Sequence, residues 1–227
     1  MRILQSVIGL FILFFCFYFI KPAYSEYNLA TGQEELIFIS QDKEVKMGES
    51  LSKQVEKKME LDKNYTNQEK VDIIGQRLAD VSDRRDLIFS FKVIDEEEDN
   101  AFALPGGYVY IYKGLLEKLE SDDEIAAILA HEIGHVCAKH SLKRLQNSFG
   151  YAALKFLVVR GADDAYSARK ASEAVDQLML SYNRKDETEA DSLAIKYLKR
   201  AGYNAEAIVG VIDKLIKFQK EGPIRPK

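Results

Sequence analysis

The chain has few cysteines and histidines, and its 32 basic residues do not outnumber its 36 acidic ones. Its 227 residues include two cysteines and three histidines, and its net charge is -4. Basic residues form no stripe along the sequence, which argues against nucleic acid as a partner. No internal repeat or low-complexity stretch is visible, and the length suffices for one domain with a hydrophobic core.

The first 25 residues have the pattern of a secretory signal peptide. A basic second residue precedes an uncharged apolar run over residues 3–20, and small residues at positions 23 and 25 fit a cleavage site. We therefore predict a signal peptide over residues 1–25, a single domain over residues 26–227, and a periplasmic or otherwise extracytoplasmic location. The apolar run also approaches the about 20 residues that span a bilayer, so an uncleaved single-helix membrane anchor is the alternative.

Cleavage after Ser25 would change both the charge and the cysteine content. It would remove two basic residues and no acidic one, leaving 30 basic against 36 acidic residues and a net charge of -6. Cys137 would then be the one remaining cysteine, which excludes an internal disulfide although the predicted compartment would permit one. We interpret Cys137 as a small core residue rather than a metal ligand.

The hydrophobic pattern predicts an α+β fold that is mostly α. Apolar residues at helical spacing alternate with one region rich in β-forming residues. Two pairs have capping-box spacing, Thr66 with Glu69 and Ser121 with Glu124, and each is predicted to begin a helix. We predict helices over residues 41–60, from 66 onward, 121–146, 165–182 and 186–200, and strands over 87–94 and on both sides of a Pro-Gly-Gly turn within 101–112.

All three histidines lie in "HEIGHVCAKH", residues 131–140. His131 and His135 are four residues apart, so on a helix their rings lie about 40° apart and can reach one ion. With Glu132 between them they form H-E-x-x-H, the zinc-hydrolase pattern of two imidazole ligands and a general base. His140 falls about 180° from His131 and is predicted to point away, with a structural role. The alternative is a pair of hydrogen-bonded core histidines.

A catalytic zinc site needs a third protein ligand, and no other histidine is suitably placed. The segment "NRKDETEADSLA", residues 183–194, places Glu187 and Asp191 one turn apart on one helical face. We predict Glu187 as the third ligand of one Zn2+ per chain. Asp191 is predicted to accept a hydrogen bond from the far nitrogen of a ligating histidine, and Glu189 to face elsewhere. The alternative is a solvated acidic helix start.

Several ordered motifs together resemble the gluzincin metallopeptidase family of the CAAX prenyl endopeptidases and the HtpX, Oma-type and BepA proteases. The likeness extends over residues 34–218, and the soluble BepA-like branch fits best. The motifs that carry it are "NAFALPGGYVYIYKGLL" (100–116), "DEIAAILAHEIGHVCAKHS" (123–141), "SYNRKDETEAD" (181–191) and "AGYNAEA" (201–207).

The resemblance implies a compact gluzincin-like domain with a small β-sheet beside the active-site helix. The family's E-x-x-A-D motif falls on Glu187 and Asp191, which agrees with the helical-face argument. Related peptidases bind substrate as an added strand along the sheet edge; the alternative is that the hairpin is ordinary scaffold. The corresponding residues here are Asn100, Ala101, Phe102 and Ala103.

One departure concerns stabilisation of the oxyanion. Many soluble members carry a His-Pro segment with a downstream arginine near the metal, whereas no histidine follows His140 here. Tyr182, Tyr203 and Arg184 are the candidates for that role.

The sequence therefore predicts a zinc-dependent endopeptidase in which Glu132 takes a proton from the attacking water and passes it to the leaving amine. The resemblance implies polypeptide substrates such as misfolded or unassembled envelope proteins. Two alternatives stay open. One is a non-catalytic envelope chaperone or assembly factor on the same scaffold, favoured by the missing His-Pro segment. The other is a zinc amidase that acts on a small molecule or a cell-wall amide.

Overall fold

The computed structural model describes residues 25–159 and 165–211, without the side chains of 150–159 and 165. Nearly all of the predicted signal peptide, residues 1–24, lies outside the described residues. The described chain is α+β and mostly α, as predicted. Its strands are β1 (Ser25–Asn28), β2 (Gln33–Leu36), β3 (Ser90–Ile94), β4 (Ala101–Leu104) and β5 (Tyr108–Tyr112). Its helices are α1 (Gln41–Lys58), α2 (Tyr65–Ala79), α3 (Lys113–Lys118), α4 (Asp122–Cys137), α5 (His140–Val159), α6 (Ala165–Leu178) and α7 (Arg184–Ala201).

The main sheet has three strands in the order β3-β5-β4. β3 runs parallel to β5, and β4 pairs antiparallel with β5 across the Pro105–Gly107 turn. Gly106 and Gly107 take φ values of 78° and 94° in this turn, a backbone region that favours glycine. The strand–turn–strand prediction for 101–112 is confirmed, whereas the strand predicted over 87–94 begins only at Ser90.

Helix α4 lies at the centre of the fold. Its residues are buried over most of its circumference, and it packs against α2, α7 and β4. A second apolar layer forms between α1, α5, α6 and the other face of the sheet. This packing places the histidine-bearing helix between the small sheet and α7, as the family resemblance implied.

The start of α2 and the end of α4 differ from the sequence prediction. The cap of α2 is Asn64, whose side chain accepts a hydrogen bond from the Thr66 N–H, so the predicted Thr66–Glu69 capping box is wrong. The single helix predicted over 121–146 is also wrong, because α4 ends at Cys137 and α5 begins at His140. Between them Lys139 takes a φ of 56°. The predicted cap at Ser121 is confirmed, since its hydroxyl accepts from the Glu124 N–H.

A two-stranded hairpin precedes α1, in a stretch for which the sequence predicted no strand. β1 and β2 pair antiparallel and lie against the corner between α4 and α5. Asn28 donates to the Cys137 carbonyl at 3.1 Å, and Lys139 pairs with Glu26 at 2.7 Å. Among the described residues, none of the helices has the length and apolar content needed to cross a bilayer.

Candidate metal centre

The candidate site lies where α4 meets α7. Ser121 caps the N-terminus of α4. Three acidic residues in the first turn interact favourably with the positive end of the helix dipole. Asn183 caps α7 by accepting hydrogen bonds from the N–H groups of Lys185 and Asp186. These caps fix where each helix begins, and therefore which residues of α4 and α7 face each other.

Three side chains bring donor atoms to one point, and we call His131, His135 and Glu187 the ligand cluster. The two Nε2 atoms are 3.0 Å apart, Glu187 Oε2 lies 3.3 Å from His131 Nε2, and Glu187 Oε1 lies 4.0 Å from His135 Nε2. Bonds of about 2.0–2.1 Å to a tetrahedral zinc ion would place neighbouring donors about 3.3 Å apart. The two nitrogens and the carboxylate are donor types that such an ion binds, and the separations of 3.0 and 3.3 Å are close to this spacing.

The outer nitrogen of His131 has a carboxylate partner. His131 Nδ1 lies 2.9 Å from Asp191 Oδ1, which is the contact that the sequence predicted for Asp191. Burial lowers the pKa of His131, but the hydrogen bonds to Asp191 and Glu187 outweigh it and raise the pKa to about 10. The surroundings thus favour a positive charge at this point, as a cation site requires.

Glu132 is buried directly beside the ligand cluster, with 8% of its surface exposed. Burial raises the pKa of Glu132 to about 7, and the neighbouring Glu187 carboxylate acts in the same direction. A carboxyl group with such a pKa can accept and return a proton near neutral pH, which is what a general base needs.

The ring of His135 is covered by Tyr182, which is itself covered by Arg144. Tyr182 stacks on His135 with ring centroids 4.0 Å apart, and the guanidinium of Arg144 covers the ring of Tyr182 at 3.8 Å. Burial lowers the pKa of His135 well below its usual value, and the charges of His131 and His140 lower it further. His135 is therefore a neutral imidazole, the form that binds metal.

The position of His140 differs from the prediction. As expected, His140 is not part of the ligand cluster. Its ring nevertheless contacts the ligand His135 instead of pointing away from the cluster. Its Nδ1 lies 2.9 Å from His135 Nδ1, and its Nε2 lies 3.0 Å from the Glu189 carboxylate. The prediction assumed one continuous helix, and the turn at Lys139 reverses the ring's direction. Sequence reasoning missed this contact and the Tyr182 stacking, and no local pattern signals either.

The three oxyanion candidates lie in different places. Tyr182 is adjacent to His135, but its hydroxyl lies 3.0 Å from the Ser141 hydroxyl. Arg184 is exposed at the first turn of α7, where it lines a surface depression with Glu189. Helix α7 ends at Ala201, about 21 Å along the helix axis from Glu187 at 1.5 Å per residue, and Tyr203 follows that end. The structure does not bring Tyr203 to the site.

Strand β4 forms the outer strand of the described sheet next to α4. The Tyr112 N–H donates to the Asn100 carbonyl at 2.9 Å, so by alternation the backbone groups of Ala101 and Ala103 face away from β5. The Ser141 hydroxyl donates to the outward carbonyl of Ala103 at 3.0 Å. The buried Phe102 ring stacks on Tyr110 and holds the strand in place.

Comparison with known proteins gives one consistent family. The profile of Peptidase family M48 matches residues 65–225, more than half of the chain. The chain is 32% identical over 133 residues to mitochondrial metalloendopeptidase OMA1 of Schizosaccharomyces pombe, which covers 58% of this chain and 39% of that protein. It is 26% identical over 198 residues to the beta-barrel assembly-enhancing protease of Escherichia coli, covering 83% and 40%. Metalloprotease YcaL of Escherichia coli is 30% identical over 129 residues, covering 56% and 50%.

The buried H-E-x-x-H helix and the carboxylate that α7 adds to it define a metallopeptidase type of site. The chain belongs to Peptidase family M48, so the predicted family resemblance is confirmed. Membership implies a bound metal, for which the ligand cluster is the candidate site. The chain spans half or less of the length of the three relatives named above.

Proposed function

We propose that this chain is a zinc-dependent endopeptidase. The observation that carries the proposal is the meeting of two imidazole nitrogens and the Glu187 carboxylate within 4.0 Å, with the buried Glu132 beside them. Family membership and relatives named as metalloendopeptidase and protease support the same activity. The two-nitrogen, one-oxygen donor set matches known catalytic zinc sites, which favours zinc among the divalent metals.

The residues of the site have different roles in peptide hydrolysis. His131, His135 and Glu187 would hold the ion, and zinc, when bound, supplies a Lewis acid that lowers the pKa of water and polarises a carbonyl. Glu132 accepts the proton of the attacking water and passes it to the leaving amine. Tyr182, beside His135, and Arg184 remain candidates to donate to the oxyanion.

The substrate is proposed to be an extended polypeptide that pairs with β4. The outward backbone groups of the partly exposed Ala101 offer hydrogen bonds to an added strand, whereas the Ala103 carbonyl already accepts from Ser141. The strand also lies next to the helix that carries the ligands. The signal-peptide pattern supports an extracytoplasmic location. One relative is named a beta-barrel assembly-enhancing protease, which supports misfolded or unassembled envelope proteins as the natural substrates.

Digestion of an unfolded protein tests the proposal. Purified full-length chain is incubated with casein, with and without a chelator, and its metal content is measured in parallel. We expect cleavage that the chelator stops and added zinc restores, with about one zinc per chain. Cleavage that persists without metal contradicts the metalloendopeptidase. Turnover of small amides without casein digestion would indicate an amidase, and zinc binding without either activity would indicate a non-catalytic factor.

A further inference from the structure

We propose that His140 and Glu189 form a hydrogen-bonded relay that fixes the ring orientation and tautomer of the zinc ligand His135. The inference rests on the proposed zinc site, because it concerns how one ligand is presented to the ion. His140 and Glu189 are positioning residues in this scheme, since neither touches the metal or the substrate.

The relay is short and buried. His135 Nδ1 and His140 Nδ1 are 2.9 Å apart, and His140 Nε2 is 3.0 Å from Glu189 Oε2. The side chains of His135 and His140 are 2% and 1% exposed, and that of Glu189 is 20% exposed. At these distances and this burial each nitrogen needs a hydrogen-bond partner, and the relay gives one to both His140 nitrogens and to His135 Nδ1.

Only one arrangement of protons satisfies all the contacts once His135 binds a metal. Its Nε2 faces the ligand cluster and carries no proton, so the proton of the neutral ring is on Nδ1. That N–H donates to His140 Nδ1, which must therefore be unprotonated. The remaining proton of His140 is then on Nε2 and donates to Glu189. The opposite tautomer of His140 would bring two N–H groups face to face.

Each imidazole ligand is thereby linked by hydrogen bonds to a carboxylate of α7. His131 reaches Asp191 directly, whereas His135 reaches Glu189 through the His140 ring. Such outer partners fix the ring orientation and raise the basicity of a ligating histidine. A single helix turn thus carries Glu187 as a ligand and Glu189 as the end of the relay, on different sides of α7.

The break between α4 and α5 is what makes the relay possible. On a continuous helix His140 would project about 180° from His131, and Lys139 with a φ of 56° redirects it. The N-terminal hairpin holds this corner, because Asn28 donates to the Cys137 carbonyl and Glu26 pairs with Lys139. The energetic cost of a left-handed non-glycine residue is thus offset by contacts from distant residues.

Histidine NMR tests the relay separately from activity. The chain has three histidines, so two-bond ¹⁵N–¹H spectra of the zinc-loaded Glu132→Gln variant give six readable nitrogens. We expect His131 and His135 to be protonated at Nδ1 and His140 to be a neutral ring protonated at Nε2. A His140 ring protonated at Nδ1, or at both nitrogens, overturns the relay.

Zinc affinity, measured by chelator competition, provides the second test. Asn Oδ1 occupies the position of His Nδ1 in the side chain, so His140→Asn keeps an acceptor for His135, whereas His140→Leu removes it. We expect His140→Leu to weaken zinc binding about 10- to 100-fold and His140→Asn to weaken it about threefold, and Glu189→Gln to fall between them. Glu206→Gln, an exposed position, serves as the matched control for Glu189→Gln.

The outcomes distinguish the relay from the proposed function on which it rests. A wild-type chain that binds no zinc contradicts the proposed function. A wild-type chain that binds zinc while folded His140→Leu binds it equally well contradicts the relay alone. Circular dichroism checks that each variant is folded. Equal losses of zinc affinity in His140→Asn and His140→Leu would show that His140 only fills space, which also contradicts the relay.

Discussion

Gly134 of α4 lies directly against the backbone of Ala190 in α7. A Cβ placed on Gly134 would come within 2.8 Å of the Ala190 carbonyl oxygen and 3.1 Å of its Cα. Gly134 directly precedes His135, and Ala190 lies between Glu187 and Asp191 in sequence. The absence of a side chain at one position therefore allows the two helices to approach closely enough for imidazoles and carboxylates to meet.

Gly134→Ala should weaken both the fold and the metal site. The added methyl group overpacks a helix contact, which typically costs about 1–3 kcal/mol of the free energy of unfolding. It should also move Glu187 away from the histidines and reduce zinc affinity. Denaturant unfolding and chelator competition measure the two effects. Gly210→Ala is the matched control, because a Cβ there meets nothing within 4 Å; equal behaviour of the two variants would contradict the close approach.

Glu132→Gln should separate metal binding from catalysis. The amide keeps the size of the side chain and cannot act as a base, and a general base contributes about 10²–10⁴-fold to rate. We expect the casein-cleavage rate to fall by about 100-fold or more while zinc content stays near that of the wild type. Glu117→Gln, on the exposed side of α3, is the control. Undiminished cleavage by Glu132→Gln would exclude the assigned role.

Glu187→Ala should lose metal rather than only activity. The substitution removes one of three donors, and even outer partners of ligands contribute about 10- to 100-fold to affinity. We therefore expect zinc affinity to fall by more than about 100-fold, together with all chelator-sensitive cleavage. Metal analysis after gel filtration measures the loss, with Glu206→Ala as the charge-matched control. Full zinc retention by Glu187→Ala would show that the third ligand lies elsewhere.

Asp191→Asn should have a smaller effect on the same measurement. Asparagine can still accept a hydrogen bond from His131 Nδ1, but it lacks the negative charge that favours the cation. We expect zinc affinity to decrease about 10-fold, within the range for outer partners of ligating histidines, and less than in Glu187→Ala. A loss equal to that of Glu187→Ala would instead indicate that Asp191 binds the ion itself.

Asp83 should make the fold sensitive to acid. It accepts hydrogen bonds from Lys196 and Tyr197 of α7 at 2.6 and 2.8 Å. Partial burial raises the pKa of Asp83, but these bonds outweigh it and the net pKa is below its usual value. A lowered folded-state pKa stabilises the fold above about pH 4, and the stabilisation is lost as pH falls through the folded-state pKa.

The corresponding variant is Asp83→Asn, and the measurement is the free energy of unfolding against pH. Hydrogen bonds to charged groups contribute about 1.5–3 kcal/mol, so we expect a loss of about 2 kcal/mol at pH 7. The difference from wild type should begin to shrink below about pH 4, where the carboxylate of the unfolded chain takes up a proton, and should disappear as pH falls through the lowered folded-state pKa of Asp83. Asp80→Asn, an exposed position, is the control. A difference that is independent of pH would contradict the charge-based explanation.

The local parts of the site could be predicted because helical periodicity is a local property. His131 and His135 share a face by their spacing alone, and Glu187 and Asp191 do so on another helix, which the contacts with His131 bear out. The strand–turn–strand segment followed from its Pro-Gly-Gly turn in the same way. The signal peptide, the substrate strand and the oxyanion donor stay predictions, since they depend on residues or partners outside the described contacts.

The sequence by itself determined the type of chemistry and the two helices that carry it, because residue type and spacing along a helix fix which groups can share one ion. Only the tertiary structure decided that α4 breaks at Lys139, because the hairpin residues that hold this corner lie 109 and 113 positions away in the chain. The break turned His140 towards His135, and the packing of α7 brought Glu189 to meet it. Contacts between such distant segments arise from packing in three dimensions, and the periodicity of a single segment carries no information about that packing.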